Sequence, residues 1–230
     1  EHAILTYDAF KSAKEELHSA AEMALPSLTA ALACSYSSPS RQILVSRVDS
    51  SMFGLTETGR TIHDICLLVS ATGTVNKRLD HNALNDGAAR ATAMAASMNI
   101  KVARFFDLGL EEKDLLKRFL YFFLSIEVQT HAAFATIDHP SAFASVVTAD
   151  DRTRDVVLPF LNQQRMQWRT LKERFVWCVV CRWTHLSRAE IDEFIRLKRL
   201  RDSIAHGELT SPNQADVESV ARLATLLHQS

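Results

Sequence analysis

Apolar residues recur along most of the chain at helical spacing, and one early region departs from it. In residues 7–24, Tyr7, Phe10, Leu17 and Ala21 fall near a 3.6-residue period within a stretch rich in Ala, Glu, Lys and Leu, which predicts an amphipathic helix. Pro26 has no N–H to donate, so the helix is expected to stop there, with a short second helix over 28–33. The loop-forming run Ser35-Tyr36-Ser37-Ser38-Pro39-Ser40 follows. Residues 42–48 and 61–69 are then rich in β-branched side chains and of strand length. They predict an antiparallel pair, with Phe53-Gly54 and Thr58-Gly59 in the connection and a third short strand before Asn76. Two strands alone are marginal, so this pair must lean on the N-terminal helix. Residues 1–84 therefore read as a small α+β unit, a helix plus a β-hairpin.

Beyond Asn85 the pattern is helical. Asp86 caps a helix expected over 88–98 and on to about 108, with Gly109 as its stop and Glu111-Glu112-Lys113-Asp114 as a polar turn. Residues 115–134 predict a strong helix, with Leu116, Phe119, Leu120, Phe123, Ile126 and Thr130 in one stripe. The polar stretch 137–155, interrupted by Pro140, reads as a long loop, and 161–183 as the next helix. Ser187-Arg188-Ala189-Glu190 is a capping box, in which hydroxyl and carboxylate each satisfy a free N–H; it opens a helix running to about Ala205 and ending at Gly207. Ser211-Pro212-Asn213-Gln214 reads as a second box with Pro212 at the first helical position, before a last helix over 215–227. Five helices with mostly short connections predict an up-and-down bundle over residues 85–230. The fold class is α+β, mostly α.

Composition narrows the function classes. Of 230 residues, 47% are hydrophobic and 23% charged, enough apolar material for a core, which excludes disorder as the main state. Only 6 Gly and 5 Pro argue against collagen-like and turn-dense all-β architectures. The formal net charge of −1 advertises no global attraction to nucleic acid or membrane. Four cysteines (Cys34, Cys66, Cys178, Cys181) make no disulfide scaffold, so a reducing, cytoplasmic setting is expected. The longest near-apolar runs, 119–126 and 175–181, fall well short of the roughly 20 residues that span a bilayer, so no membrane is expected. Ala31-Leu32-Ala33-Cys34 faintly matches a lipoprotein cleavage box, but Glu22 and Pro26 interrupt what precedes it and no basic start is present. The chain opens on Glu1 and not Met, so it reads as trimmed or as part of something longer.

The stretch that carries candidate chemistry is Leu200-Arg201-Asp202-Ser203-Ile204-Ala205-His206-Gly207-Glu208. Arg201 offers a planar fork of donors suited to phosphate, and His206 is the side-chain type that titrates near neutral pH. Five residues apart, they sit about 140° from each other on a continuous helix. They converge if the helix ends at His206, or if two copies meet across a two-fold axis. The plain alternative is a C-terminal His that complements the helix dipole, followed by a Gly stop, with Arg201 paired to Glu208 or solvent. Residues 151–230 carry 13 Lys and Arg against 10 Asp and Glu, a net of +3, while the rest of the chain is −4. Arg196, Lys198 and Arg199 crowd beside Arg201, and such clusters attract a phosphate backbone. They read equally as a solvated helix face balanced by Asp192 and Glu193.

Arg201-Asp202 followed after three residues by His206, Gly207 and Glu208 resembles the signature of the HEPN superfamily: Arg, a polar residue, about three residues, then His. Two further regions are similar to large, Apea-like HEPN proteins. Residues 102–110, an acidic turn and residues 116–127 resemble their paired early helices. Residues 190–207, with Phe194, Leu197, Leu200, Arg201 and His206, resemble their motif helix. The resemblance covers roughly 85–230 and implies a HEPN-like helical bundle. It implies a metal-independent endoribonuclease, needing no cofactor, that acts as a homodimer on single-stranded or transfer RNA, in a toxin, stress or anti-phage setting, with a companion antitoxin or regulator as a further partner. In that carry-over His206 moves a proton at the ribose 2′-hydroxyl or the leaving oxygen, Arg201 holds the scissile phosphate, and Asp202 orients one or the other. Arg196, Lys198 and Arg199 are the candidate RNA-binding cations. The products are a 2′,3′-cyclic phosphate and a 5′-hydroxyl. Asp202 stands where Asn is most frequent, and the variant with Tyr two residues beyond His is absent, since Glu208 occupies that place. The alternative reading is a non-catalytic HEPN module that binds RNA, nucleotide or protein, with residues 1–84 as a sensor.

Other features weigh less. Cys178 and Cys181 share a redox-like spacing but lie inside an apolar helical run, without the strand and helix N-terminus that activate such a pair. His63-Asp64 lacks further metal-ligand motifs. Residues 119–123 place aromatic rings on both faces of a helix, as core or dimer interface. Glu127, polar at the end of that run, reads as a buried acid near the site or as a partly exposed helix position. No glycine-rich phosphate loop and no Gly-x-Ser-x-Gly motif are present.

Overall fold

The computed structural model of the chain describes residues 2–37, 53–59, 61–63, 81–148, 150–208 and 211–228. Among these residues the fold is mostly α. In chain order the elements are α1 (His2–Tyr36), β1 (Phe53–Leu55), β2 (Thr61–His63), α2 (His81–Ser97), α3 (Ile100–Glu111), α4 (Leu115–Thr136), α5 (His139–Val146), α6 (Asp151–Arg165), α7 (Leu171–Cys181), α8 (Arg188–Ala205) and α9 (Gln214–Leu226).

The helix expected to break at Pro26 does not break. α1 runs through it as one helix of 35 residues. Tertiary burial overrides the missing hydrogen bond: immediately after the proline, Ala30, Ala31, Ala33 and Cys34 are fully buried against the body of the protein. The Thr29 hydroxyl also donates to the Asp107 carboxylate of α3, and Tyr36 donates its hydroxyl to the Leu84 carbonyl of α2 at 2.6 Å. α1 thus packs on both α2 and α3. β2 pairs antiparallel with β1, in the register Phe53↔His63 and Leu55↔Thr61. Residues 53–55, assigned by pattern to a connection, are therefore strand. The expected strand over 42–48, most of the one over 61–69 and the third before Asn76 lie outside the described residues.

α2 starts at His81, so Asp86 lies within it and is not its cap; local capping explains most of the other departures. The helix expected to continue to 108 divides at Asn99, whose side-chain oxygen accepts from the Lys101 N–H at 2.9 Å and caps α3. Gly109 is not a stop but an interior residue of α3; a Cβ there would stand 3.0 Å from the Phe122 ring, so its smallness lets α3 approach α4. The stretch 137–155 is no long loop. Asp138 caps α5, with Pro140 in the first turn, and Asp150 caps α6. The helix expected over 161–183 is two, because Thr170 and Glu173 form a capping box that starts α7 afresh. The last helix begins under an Asn213–Asp216 box, and Ser211 lies outside it. α8 follows expectation. It opens on the Ser187–Glu190 box and ends with His206 as its C-cap. Gly207 follows at a φ of 74°. The N–H groups of Gly207 and Glu208 return to the carbonyls of Ile204 and Ser203, the paired closure that favours Gly in this place.

α4 is the centre of the bundle and packs on α3, α7 and α9. Phe119, Phe123, Ile126 and Thr130 are buried as the stripe predicts, and Phe122 adds a second face toward α3. The core is strongly aromatic. The Phe175 and Phe194 rings stack with centroids 3.7 Å apart, Phe123 lies parallel to Phe194 at 6.2 Å, and Phe106 meets Phe122 edge-on at 5.3 Å. No described helix is long and apolar enough to cross a membrane.

Candidate functional site

Arg201 leaves α8 one helical turn beyond the buried Leu197 and reaches toward α4. Its Nη2 lies 3.0 Å from Glu127 Oε2, and its Nη1 lies 3.1 Å from Asp202 Oδ1. Beneath them the guanidinium carbon is 5.2 Å from the centroid of Phe123, a cation–π distance. The other Asp202 oxygen takes Lys198 Nζ at 2.6 Å. The charge chain continues along α4, where Glu127 Oε1 stands 3.9 Å from His131 Nε2. His131 Nδ1 lies 2.9 Å from Arg174 Nη1 of α7. A guanidinium only donates, so His131 Nδ1 accepts here and the ring proton faces Glu127. Arg174 itself lies over the Phe134 ring at 5.4 Å and donates to the Trp168 carbonyl. Three cations and two carboxylates therefore share this face around one imidazole. A phosphate arriving at Arg201 or Lys198 would compete with the carboxylates that hold them.

The residues singled out by sequence do not all come together. Arg201, Asp202 and Lys198 come together, joined by Glu127, which is both partly exposed and next to Arg201. His206 is exposed at the end of α8, and its side chain makes no hydrogen bond or ion pair among the described residues. The Asp202 carboxylate serves Arg201 and Lys198, and only its backbone carbonyl meets His206, through the His206 N–H at 2.9 Å. Arg196 turns away toward α9. It takes both oxygens of Glu193 and, at 2.6 Å, Asp216. These carboxylates push its pKa above the ordinary arginine value, so its first role is to tie α8 to α9. Arg199 is exposed and without a side-chain partner among the described residues.

Two members of the network carried no clear sequence signal. His131 sits four residues beyond Glu127, the spacing of neighbours on one helix face. Arg174 comes from a different helix, and only packing brings it to His131. Cys178 and Cys181 stand apart from this chemistry. The Cys178 thiol is buried against the Thr130 carbonyl and pushed up to about 12 by burial, and burial raises Cys181 as well. Among the described residues no three His, Cys, Asp or Glu side chains gather as metal ligands. No protein-family model matches the chain, and neither curated proteins nor solved structures provide a match.

Proposed function

We propose that the chain is a HEPN-type endoribonuclease that cuts RNA through the ribose 2′-hydroxyl. One observation carries the reading: Arg201 is held in one orientation by Glu127 and Asp202 over Phe123, and α8 ends five residues later on an exposed His206 whose side chain has no partner among the described residues. A fixed guanidinium is suited to charge that develops on phosphate oxygens. An exposed imidazole is suited to proton transfer. In the reaction the 2′-oxygen bonds to phosphorus as its proton leaves, the P–O5′ bond breaks, and the 5′-oxygen takes up a proton. The nucleophile is internal, so no activated water enters. One imidazole serves one of the two proton transfers. The same residue of a second copy, across a two-fold axis, would serve the other.

The test is incubation of wild type and His206→Ala with single-stranded and transfer RNA in excess EDTA, followed by mapping of product ends. Wild type is expected to leave 2′,3′-cyclic phosphates, and the variant to lose activity by about a hundredfold or more. Equal cleavage by both would remove His206 from the mechanism. A second reading, a module that binds RNA without cutting it, is favoured by the internal pairing of Arg196, Lys198 and Arg201 with carboxylates. It predicts no cleavage by either protein, and RNA retention that survives His206→Ala and weakens with salt.

A further inference from the structure

The opposite side of α4 from Glu127 and His131 borders a cavity of about 300 Å³. At 100° per residue, Gln129, Ala132, Ala133 and Thr136 fall within one arc of the helix, and Glu127 and His131 project from the other side. The cavity is completed by the α2–α3 junction, with Met98 and Asn99, by Arg182 and Trp183 after α7, and by His228 after α9. Its volume equals the room of about ten waters, the size of a compact ligand with about as many non-hydrogen atoms.

Among the described residues the lining is rich in donors and contains no carboxylate. Arg182 is exposed, and its side chain makes no hydrogen bond or ion pair among the described residues. The half-buried Gln129 amide is likewise without a partner there. His228 meets Phe106 edge-on at 6.1 Å, and its ring nitrogens bond no described residue. Burial pushes its pKa down to about 4, so at neutral pH it presents one N–H and one lone pair. The C-terminal turns of α2, α7 and α9 approach the same space and bring partial negative charge. Several of their carbonyls are already bonded, that of Leu226 by His185 Nε2 at 2.9 Å and that of Cys178 by the N–H groups of Arg182 and Trp183. Arg182 carries the one full charge among the described lining residues.

We propose that this cavity binds a small molecule with an oxyanion head, a carboxylate or a phosphate monoester, and a planar apolar body. Arg182 holds the head, Gln129 and His228 hydrogen-bond the ligand, and Met94 and Met98 form the wall for its body. The site is independent of the Arg201 face, so it stands whether or not the chain cuts RNA.

Calorimetric titration of the full chain tests this, with phenyl phosphate, benzoate, inorganic phosphate and benzylamine as probes. At least one aromatic anion is expected to saturate a single site at millimolar concentration or below. Inorganic phosphate should bind more weakly for lack of a body, and benzylamine not at all. Preference between the two aromatic anions identifies the head group. Arg182→Gln, an exposed change that leaves circular dichroism unaltered, is expected to weaken the better probe roughly tenfold or more. No saturable binding by either aromatic anion, equal binding by Arg182→Gln, or binding of benzylamine as tight as that of the anions would each overturn the proposal.

Discussion

His139 is buried, and through Nδ1 it accepts the indole N–H of Trp177 at 3.0 Å. Its ring also packs on Phe134 with centroids 4.6 Å apart. Desolvation, followed by the nearby charge of Arg165, lowers its pKa. Protonation would place a proton on Nδ1 and set two donors face to face, so the Trp177 bond is lost in acid. His228 shifts in the same direction, from 6.5 to about 4. For both groups the unfolded chain binds protons that the fold refuses. Their contribution to stability is therefore full above about 6.5 and falls as the pH drops below it, with the His228 share exhausted near 4. Tryptophan fluorescence and urea midpoints measured from pH 8 downward should show this loss, and His139→Gln should remove the fluorescence step while sparing the fold at neutral pH. Gly109 makes a second argument at this scale. On an exposed helix Gly→Ala stabilises by about 1 kcal/mol, but here the added methyl meets the fully buried Phe122 ring at 3.0 Å. Gly109→Ala is expected to destabilise the protein by about 1–3 kcal/mol in chemical denaturation, the range for overpacking.

At the scale of elements, capping residues decide where one helix ends and the next begins. Thr170 accepts from the Glu173 N–H, and the Glu173 side chain accepts from the Thr170 N–H at 3.0 Å. This reciprocal box starts α7 afresh, five residues after α6 has ended. Thr170→Ala should cost about 1 kcal/mol, read as a lower urea midpoint with an unchanged slope. Asn99, Asp138 and Asp150 do the same work for α3, α5 and α6. Each lies in a polar stretch where hydrophobic periodicity is silent, and for that reason 137–155 resembled a loop. α5 and α6 pack chiefly on each other. Phe143 and His139 of α5 join them to the body through Trp177, so acid titration of His139 is expected to act on the attachment of this helix pair.

For the whole molecule, the aromatic stack is the axis of stability and the support of the candidate site. Phe175, Phe194 and Phe123 lie nearly parallel, and Arg201 rests on the last of them. Phe194→Ala opens a cavity in the middle of this stack and should cost about 3–5 kcal/mol, measured by guanidinium denaturation. α4 divides the molecule into two faces, one with the Glu127–Arg201 charge chain and the other with the Arg182–His228 cavity. The two proposed activities should therefore respond to different substitutions.

Sequence by itself determined the helical class, the limits of α8 with its Ser187–Glu190 box and Gly207 closure, and the buried stripe of α4. Each depends on residues within a few positions of one another, and their chemistry is local. It also picked out Arg201, Asp202 and His206, because they are close in the chain. Tertiary structure alone decided that α1 continues through Pro26, since burial of Ala30, Ala33 and Cys34 outweighs one missing hydrogen bond. It likewise decided that Glu127, 74 positions before Arg201, becomes its partner, that Arg196 serves α9, and that His131 meets Arg174. Such contacts depend on how helix faces pack, and a one-dimensional pattern records only which face is apolar, not which neighbour it will meet.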